Sequence, residues 1–137
     1  MDRTQEKSCG IVPYTVRDNQ LLYLLIKVEK GDCGFPKGHV EAGESEPETA
    51  LRETWEETSL QPVVCADFRY ETSYRKPNGN EKTAVYFLGN FEHQAPRQND
   101  GFEQFEFLLL PFEKAYRALT FENMKELLMR ANEYLRK

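Results

Sequence analysis

The periodicity of the chain changes abruptly at Ser45, and that switch does most to restrict the fold. Upstream, residues 8–16 (SCGIVPYTV) and 20–28 (QLLYLLIKV) are short apolar and β-branched runs joined by Asp18 and Asn19, the pattern of a hairpin. The stretch GDCGFPKGH then predicts a loop with a short extended piece around Phe35. From Ser45 to Thr58 the spacing becomes helical. Ser45 stands at an N-cap with Glu48 three residues on, the two halves of a capping box. Pro47 falls in the first turn, where a missing N–H costs nothing. Pro62 stops the helix near Ser59.

Strand signals return afterwards. Residues 61–74 read as extended, and residues 75–81 (RKPNGNE) as a hairpin loop with Asn78-Gly79 at its tip. Residues 83–91 (TAVYFLGNF) form the clearest strand of the second half, and a further strand is expected through Glu103 to Leu110. Pro111 starts a short helix, and Thr120 is expected to cap a last one. In that helix Phe121, Met124, Leu127, Leu128 and Leu135 recur at helical spacing as its core stripe. Strands, helix, strands, helix is the order of a mixed β-sheet between two helical layers, an α/β/α sandwich. With 137 residues, a single domain spanning 1–137 is expected.

The helix carries an unusual load. Residues 38–60 hold Glu41, Glu44, Glu46, Glu48, Glu53, Glu56 and Glu57 against one permanently basic side chain, Arg52. On a helical wheel Glu53, Glu56 and Glu57 share one face, with Arg52 on the flank in reach of Glu48 and Glu56. Leu51, Trp55 and Thr58, with Thr54 beside them, are expected to face the sheet. A solvated glutamate face normally interleaves lysines, because like charges one turn apart repel. This face has none. It is either solvated regardless or the oxygen-rich site of a hard divalent cation, Mg²⁺ or Mn²⁺.

Charge and cysteines narrow the partners. A formal charge of -5 argues against an extended nucleic acid or an anionic membrane, and leaves room for local lysines to grip a small polyanion. Cys9, Cys33 and Cys65 lack metal-site or disulfide spacing and read as reduced thiols. Together with a polar N-terminus and no apolar run of membrane length, this predicts a cytoplasmic, soluble protein.

The spacing G-x₅-E-x₇-R-E-x-x-E-E, met by Gly38, Glu44, Arg52, Glu53, Glu56 and Glu57, resembles the Nudix box of hydrolases that act on nucleoside diphosphates linked to another moiety. Two positions depart from the full pattern: Thr54 replaces a bulky aliphatic residue, and Ser59 replaces a glycine. The resemblance implies that Glu53, Glu56 and Glu57, with the Gly38 carbonyl, hold Mg²⁺ or Mn²⁺, while Glu44 and Arg52 brace the loop and helix. Ser59 in place of glycine is expected to strain the helix exit.

The longer string GFPKGHVEAGE…ETALRET is similar to the asymmetrical diadenosine tetraphosphate (Ap4A) hydrolases, which release ATP and AMP, and the likeness continues through residues 68–88 and 121–127. It implies that the substrate is a nucleotide and that Lys37 and Lys82 contact phosphate. The other reading of each is an exposed lysine. His39 either donates to a phosphate or braces its loop. Tyr74 matches an adenine-stacking tyrosine, against a plain packing role, whereas Tyr86 and Phe121 read as sheet and helix core. Aligning FEQFEFLLLPFEKA places Glu103, rather than Glu106, as the remaining acid, a metal ligand or general base; with Glu53 and Glu57 it completes the catalytic set. Other nucleotide substrates and a non-catalytic binding module are the rival functions, and a monomer or homodimer the expected assembly.

Overall fold

In the computed structural model, which describes residues 5–29 and 31–137, the first two runs pair as expected. β1 (Gln5–Arg17) and β2 (Gln20–Lys27) form an antiparallel hairpin with Tyr14 opposite Tyr23. Two short strands follow: β3 (Cys33–Gly34) pairs with β2, and β4 (Lys37–His39) with β1. β5 (Val63–Arg75) and β6 (Glu81–Asn90) make the second long hairpin, and β7 (Glu106–Leu110) lies antiparallel on β2. β6 runs parallel to β1 from Gln5–Glu81 to Tyr14–Asn90. That pairing joins the hairpins into one mixed sheet, ordered β3-β2-β1-β6-β5 along its main path.

Alternation along the strands divides the core in two. Val12, Tyr23, Leu25, Tyr86 and Leu88 pack on one face against Ala115 of α2 (Phe112–Ala118) and Leu127 and Leu128 of α3 (Glu122–Leu135). Cys9, Ile11, Val85 and Phe87 pack on the other beneath Ala50 of α1 (Glu46–Thr58). The sandwich is therefore as expected from the order of elements. Cys9 and Cys33 are buried and Cys65 half-buried, all unpaired. Among the described residues, no helix is long and apolar enough to cross a membrane.

Four local expectations are corrected. On α1, Thr54 and Thr58 meet the sheet as expected, with Thr49 and Ala50 beside them and Leu51 packed partly against it, but Trp55 is 41% exposed and does not. Small side chains let the helix settle close on Cys9, Ile11, Val85 and Phe87, so volume outweighs hydrophobicity there. The last strand starts at Glu106 and not at Glu103, which lies in the preceding loop. Thr120 does not cap α3; its hydroxyl accepts the Cys33 N–H at 2.7 Å instead, and Phe121 takes the N-cap position without a side-chain bond. Phe121 is 52% exposed and so is not core.

The two residues that depart from the Nudix pattern sit where they bear on stability. Thr54 is fully buried and its hydroxyl finds no hydrogen-bond partner among the described residues. Ser59 closes α1 in the left-handed region at φ 65°, with its N–H on the Trp55 carbonyl. An unpaired buried hydroxyl and a non-glycine residue in that region each cost about 1 kcal/mol or more. Thr54→Val and Ser59→Gly are therefore expected to raise unfolding free energy by about 0.5–1 kcal/mol each, roughly additively. Denaturant titration of the two variants and the double variant checks this; unchanged midpoints would contradict it.

Candidate active site

Arg52 organises the segment that the box occupies. Ser45 and Glu48 form their reciprocal cap, the Ser45 N–H donating to Glu48 Oε1 at 2.8 Å, so Glu48 is spent on the helix end. Arg52 turns instead to Glu44, with Nε on Oε2 at 2.6 Å and Nη2 on Oε1 at 3.1 Å. Nη2 also donates to the His39 carbonyl at 3.0 Å, and Nη1 to Glu53 and Glu56 at 2.9 and 3.1 Å. One guanidinium thus ties the end of β4, the following loop and the acidic face of α1 together. Arg52 first, and the Thr49 hydroxyl second, hold the Glu44 carboxyl down at about 2.

Glu53 reaches from α1 over the backbone of β4. A Cβ on Gly38 would lie 2.0 Å from the Glu53 carboxyl carbon, so only glycine admits that carboxylate. Glu57, one turn on from Glu53, is half-buried, with the Lys37 N–H donating to its Oε1 at 3.3 Å. Burial, and then the charge of Glu53 beside it, hold the Glu57 carboxyl well above the usual carboxylate range. Two adjoining carboxylates are stable only with a proton or a cation between them. Among the described residues, no three His, Cys, Asp or Glu side chains are gathered tightly enough to close a metal site as they stand. The partial set of Glu53, Glu57 and the cradle at Gly38 nevertheless suits a hard divalent cation, with Glu56 one turn away on Arg52.

Glu57 opens onto one of two adjoining cavities. One, of about 280 Å³, is lined by Glu57, Glu103, Lys37, Tyr86, Phe105 and Phe121, among others. The other, of about 540 Å³ and mostly apolar, is lined by Tyr74, Lys82, Lys37, Tyr86, Phe121 and Met124, among others. Lys37, Tyr86, Phe121 and Met124 belong to both, so the two make one cleft. Gly10 allows the β3–β4 turn to close over β1, because a Cβ there would meet the Pro36 carbonyl at 2.3 Å. Lys82 lies opposite Tyr74 across the β5–β6 hairpin, and burial, then the charge of Lys37, lowers its ammonium below the usual lysine value. A second cation already in place makes this end of the cleft favourable for an anion.

The structure therefore brings Lys37, Glu57, Tyr74, Lys82 and Glu103 onto one cleft, with Gly38 and Glu53 at its acidic edge. It does not bring His39 there. That imidazole is exposed and stands 3.9 Å from Glu6, while the His39 carbonyl serves Arg52. Tyr86 is buried in the sheet, as expected, yet also floors both cavities. Phe121 and Met124, read from sequence as helix core, also wall the cleft, and for Phe121 an apolar residue at core spacing does not reveal that it precedes the helix by one position.

A family model described as "NUDIX domain" matches residues 6–131. The rat (Rattus norvegicus) bis(5'-nucleosyl)-tetraphosphatase [asymmetrical] is 31% identical over 94% of this chain and 95% of its own. Among solved structures, a Caenorhabditis elegans Ap4A hydrolase binary complex superposes with a TM-score of 0.84 at 24% identity, covering 95% of this chain and 97% of that one. The Nudix domain of Shewanella oneidensis NrtR complexed with ADP-ribose gives 0.80 at 21% identity, covering 98% and 90%. The last two likenesses concern the fold.

Two expected outcomes follow from the geometry. Gly38→Ala displaces only the flexible end of Glu53, so the fold should persist while the rise in melting temperature on adding Mn²⁺ disappears, as it should in Glu57→Gln. A wild-type Mn²⁺ response in both variants would contradict the cradle. The depressed Glu44 carboxyl contributes stability above the ordinary carboxylate range that is lost as pH falls through about 2. Thermal melts should show Glu44→Gln less stable than wild type at pH 7 and converging with it in acid.

Proposed function

The chain belongs to the Nudix family and is a Nudix hydrolase, and from that premise we propose that it cleaves diadenosine tetraphosphate to ATP and AMP in a Mg²⁺-dependent reaction. The observation that carries the proposal is the shape of the cleft: acids at one end, an apolar aromatic chamber at the other, and Lys37 on the boundary of both. A dinucleoside polyphosphate needs those three environments in that order. The 31% identity to the rat asymmetrical tetraphosphatase over nearly the whole chain supports the same substrate.

Glu53, Glu56 and Glu57 would hold Mg²⁺ or Mn²⁺, with the Gly38 carbonyl and Glu103 as further oxygen ligands. When bound, the cation offsets charge on phosphate oxygens and acidifies water. Lys37 and Lys82 grip the phosphate chain, and their mutual repulsion is relieved by the anion they bind. Tyr74, 48% exposed on the rim, stacks on one adenine with Phe121 across the chamber. Glu103 or a box glutamate accepts the proton of the attacking water, and water breaks one P–O–P bridge so that ATP and AMP leave. Three unpaired cysteines favour a cytoplasmic setting, as a monomer or homodimer.

Purified protein incubated with Ap4A and Mg²⁺ should yield ATP and AMP in equal amounts. Chelation should stop the reaction, and Glu57→Gln should lower kcat by about 100-fold or more without unfolding the chain. Two molecules of ADP would overturn the cleavage position. Turnover only of nucleoside triphosphates or ADP-ribose would overturn the substrate.

A further inference from the structure

We propose that Trp55, Asn99 and Phe102 are positioning residues for Glu103, so that the helix bearing the box glutamates also anchors the loop bearing the remaining acid of the cleft. The proposal rests on the reading of Glu103 as a catalytic acid given above. The stretch 94–105 links β6 to β7 without a helix or strand of its own and crosses the C-terminal end of α1. A loop of that kind normally leaves the residue it carries loosely placed. This one is fastened at several points.

At its first half the Arg97 N–H donates to the Thr58 carbonyl at 2.8 Å, and the Ser59 hydroxyl donates to the Arg97 carbonyl at 3.2 Å. The Asn99 side chain then donates to the Trp55 carbonyl at 2.9 Å. The Trp55 ring meets Phe102 edge-on, with centroids 6.0 Å apart and planes at 77°. Beyond Glu103 the chain is fixed again. Gln98 donates to the Phe105 carbonyl and accepts the Phe105 N–H at 3.1 Å, and Phe105 itself is 8% exposed. Glu103 therefore sits between two anchored phenylalanines and lines the cavity that Glu57 also lines.

The arrangement explains why a large aromatic ring stands on α1 between Glu53 and Glu56 yet turns away from the sheet. Trp55 links the helix of the box acids to the loop of Glu103, and a shift of one ångström in a reacting group can cost about 100-fold in rate. None of Trp55, Asn99 and Phe102 lines either cavity, so their effect passes through Glu103.

A double-mutant cycle on Ap4A hydrolysis with Mg²⁺ tests this, with circular dichroism confirming that each variant is folded. Trp55→Ala is expected to lower kcat about tenfold with KM within about twofold, and Trp55→Phe, which keeps an edge-on contact, to restore most of it. In a Glu103→Gln background the Trp55→Ala change should cost nothing further. Equal losses in both backgrounds, or a change confined to KM, would overturn the positioning role alone. A fully active Glu103→Gln would instead remove the reading of Glu103, and the positioning role with it. If the wild-type protein turns over a nucleoside triphosphate or ADP-ribose in place of Ap4A, the same cycle is read on that nucleotide, so a failed substrate and a failed anchor are told apart.

Discussion

The guanidinium of Arg52 is the interaction on which the rest of the site depends. It faces Glu44, the His39 carbonyl, Glu53 and Glu56 at once, and these groups come from three separate pieces of chain. Without it, the loop after β4 would keep only the Thr49 hydroxyl on Glu44 as a side-chain tie of that carboxylate to α1, and the glutamates of the helix face would repel one another unscreened. With it, β4 is held close enough for the Glu53 carboxylate to pass over Gly38. A lysine in its place would offer one point charge where a planar fork now satisfies several acceptors.

Arg52 does not neutralise everything it gathers. Glu57 lies behind Glu53, away from the guanidinium and half-buried, and its carboxyl is pushed up rather than down. The fold thus keeps one carboxylate pair short of positive charge at the edge of a cleft whose other end carries two lysines and an aromatic chamber. Such a distribution stores a deficit on one side and a surplus on the other. A divalent cation would offset the first and a polyphosphate the second.

Much of this was legible in the sequence because its signals are local. The capping box, the β5–β6 hairpin loop and the helical spacing of Glu53, Glu56 and Glu57 depend on residues a few positions apart, and all three form where they were expected, the hairpin with Pro77-Asn78 rather than Asn78-Gly79 at its tip. What escaped depends on distant partners. A helical wheel says which residues share a face but not which face meets the sheet, so the hydrophobicity of Trp55 pointed inward while the small volumes of Ala50 and Thr54 decided the matter. Phe102, 47 positions away, is what the ring actually meets. Thr120 was misread for the same reason: a hydroxyl before a helix looks like a cap until Cys33 arrives from the other end of the chain. Glu103 is read as a site acid from resemblance alone, and the loop geometry that brings it to the cavity, fixed by Asn99 and Gln98, has no signature in a single sequence.

The central claim is that the carboxylate pair and the aromatic chamber are one site for a cation and a dinucleoside polyphosphate. Anomalous diffraction from crystals grown with Mn²⁺ and a non-hydrolysable Ap4A analogue tests it most directly. The account predicts a manganese peak bounded by Glu53, Glu57 and the Gly38 carbonyl, phosphates against Lys37 and Lys82, and an adenine between Tyr74 and Phe121. A manganese site elsewhere, or an analogue bound with its base outside that chamber, would contradict it.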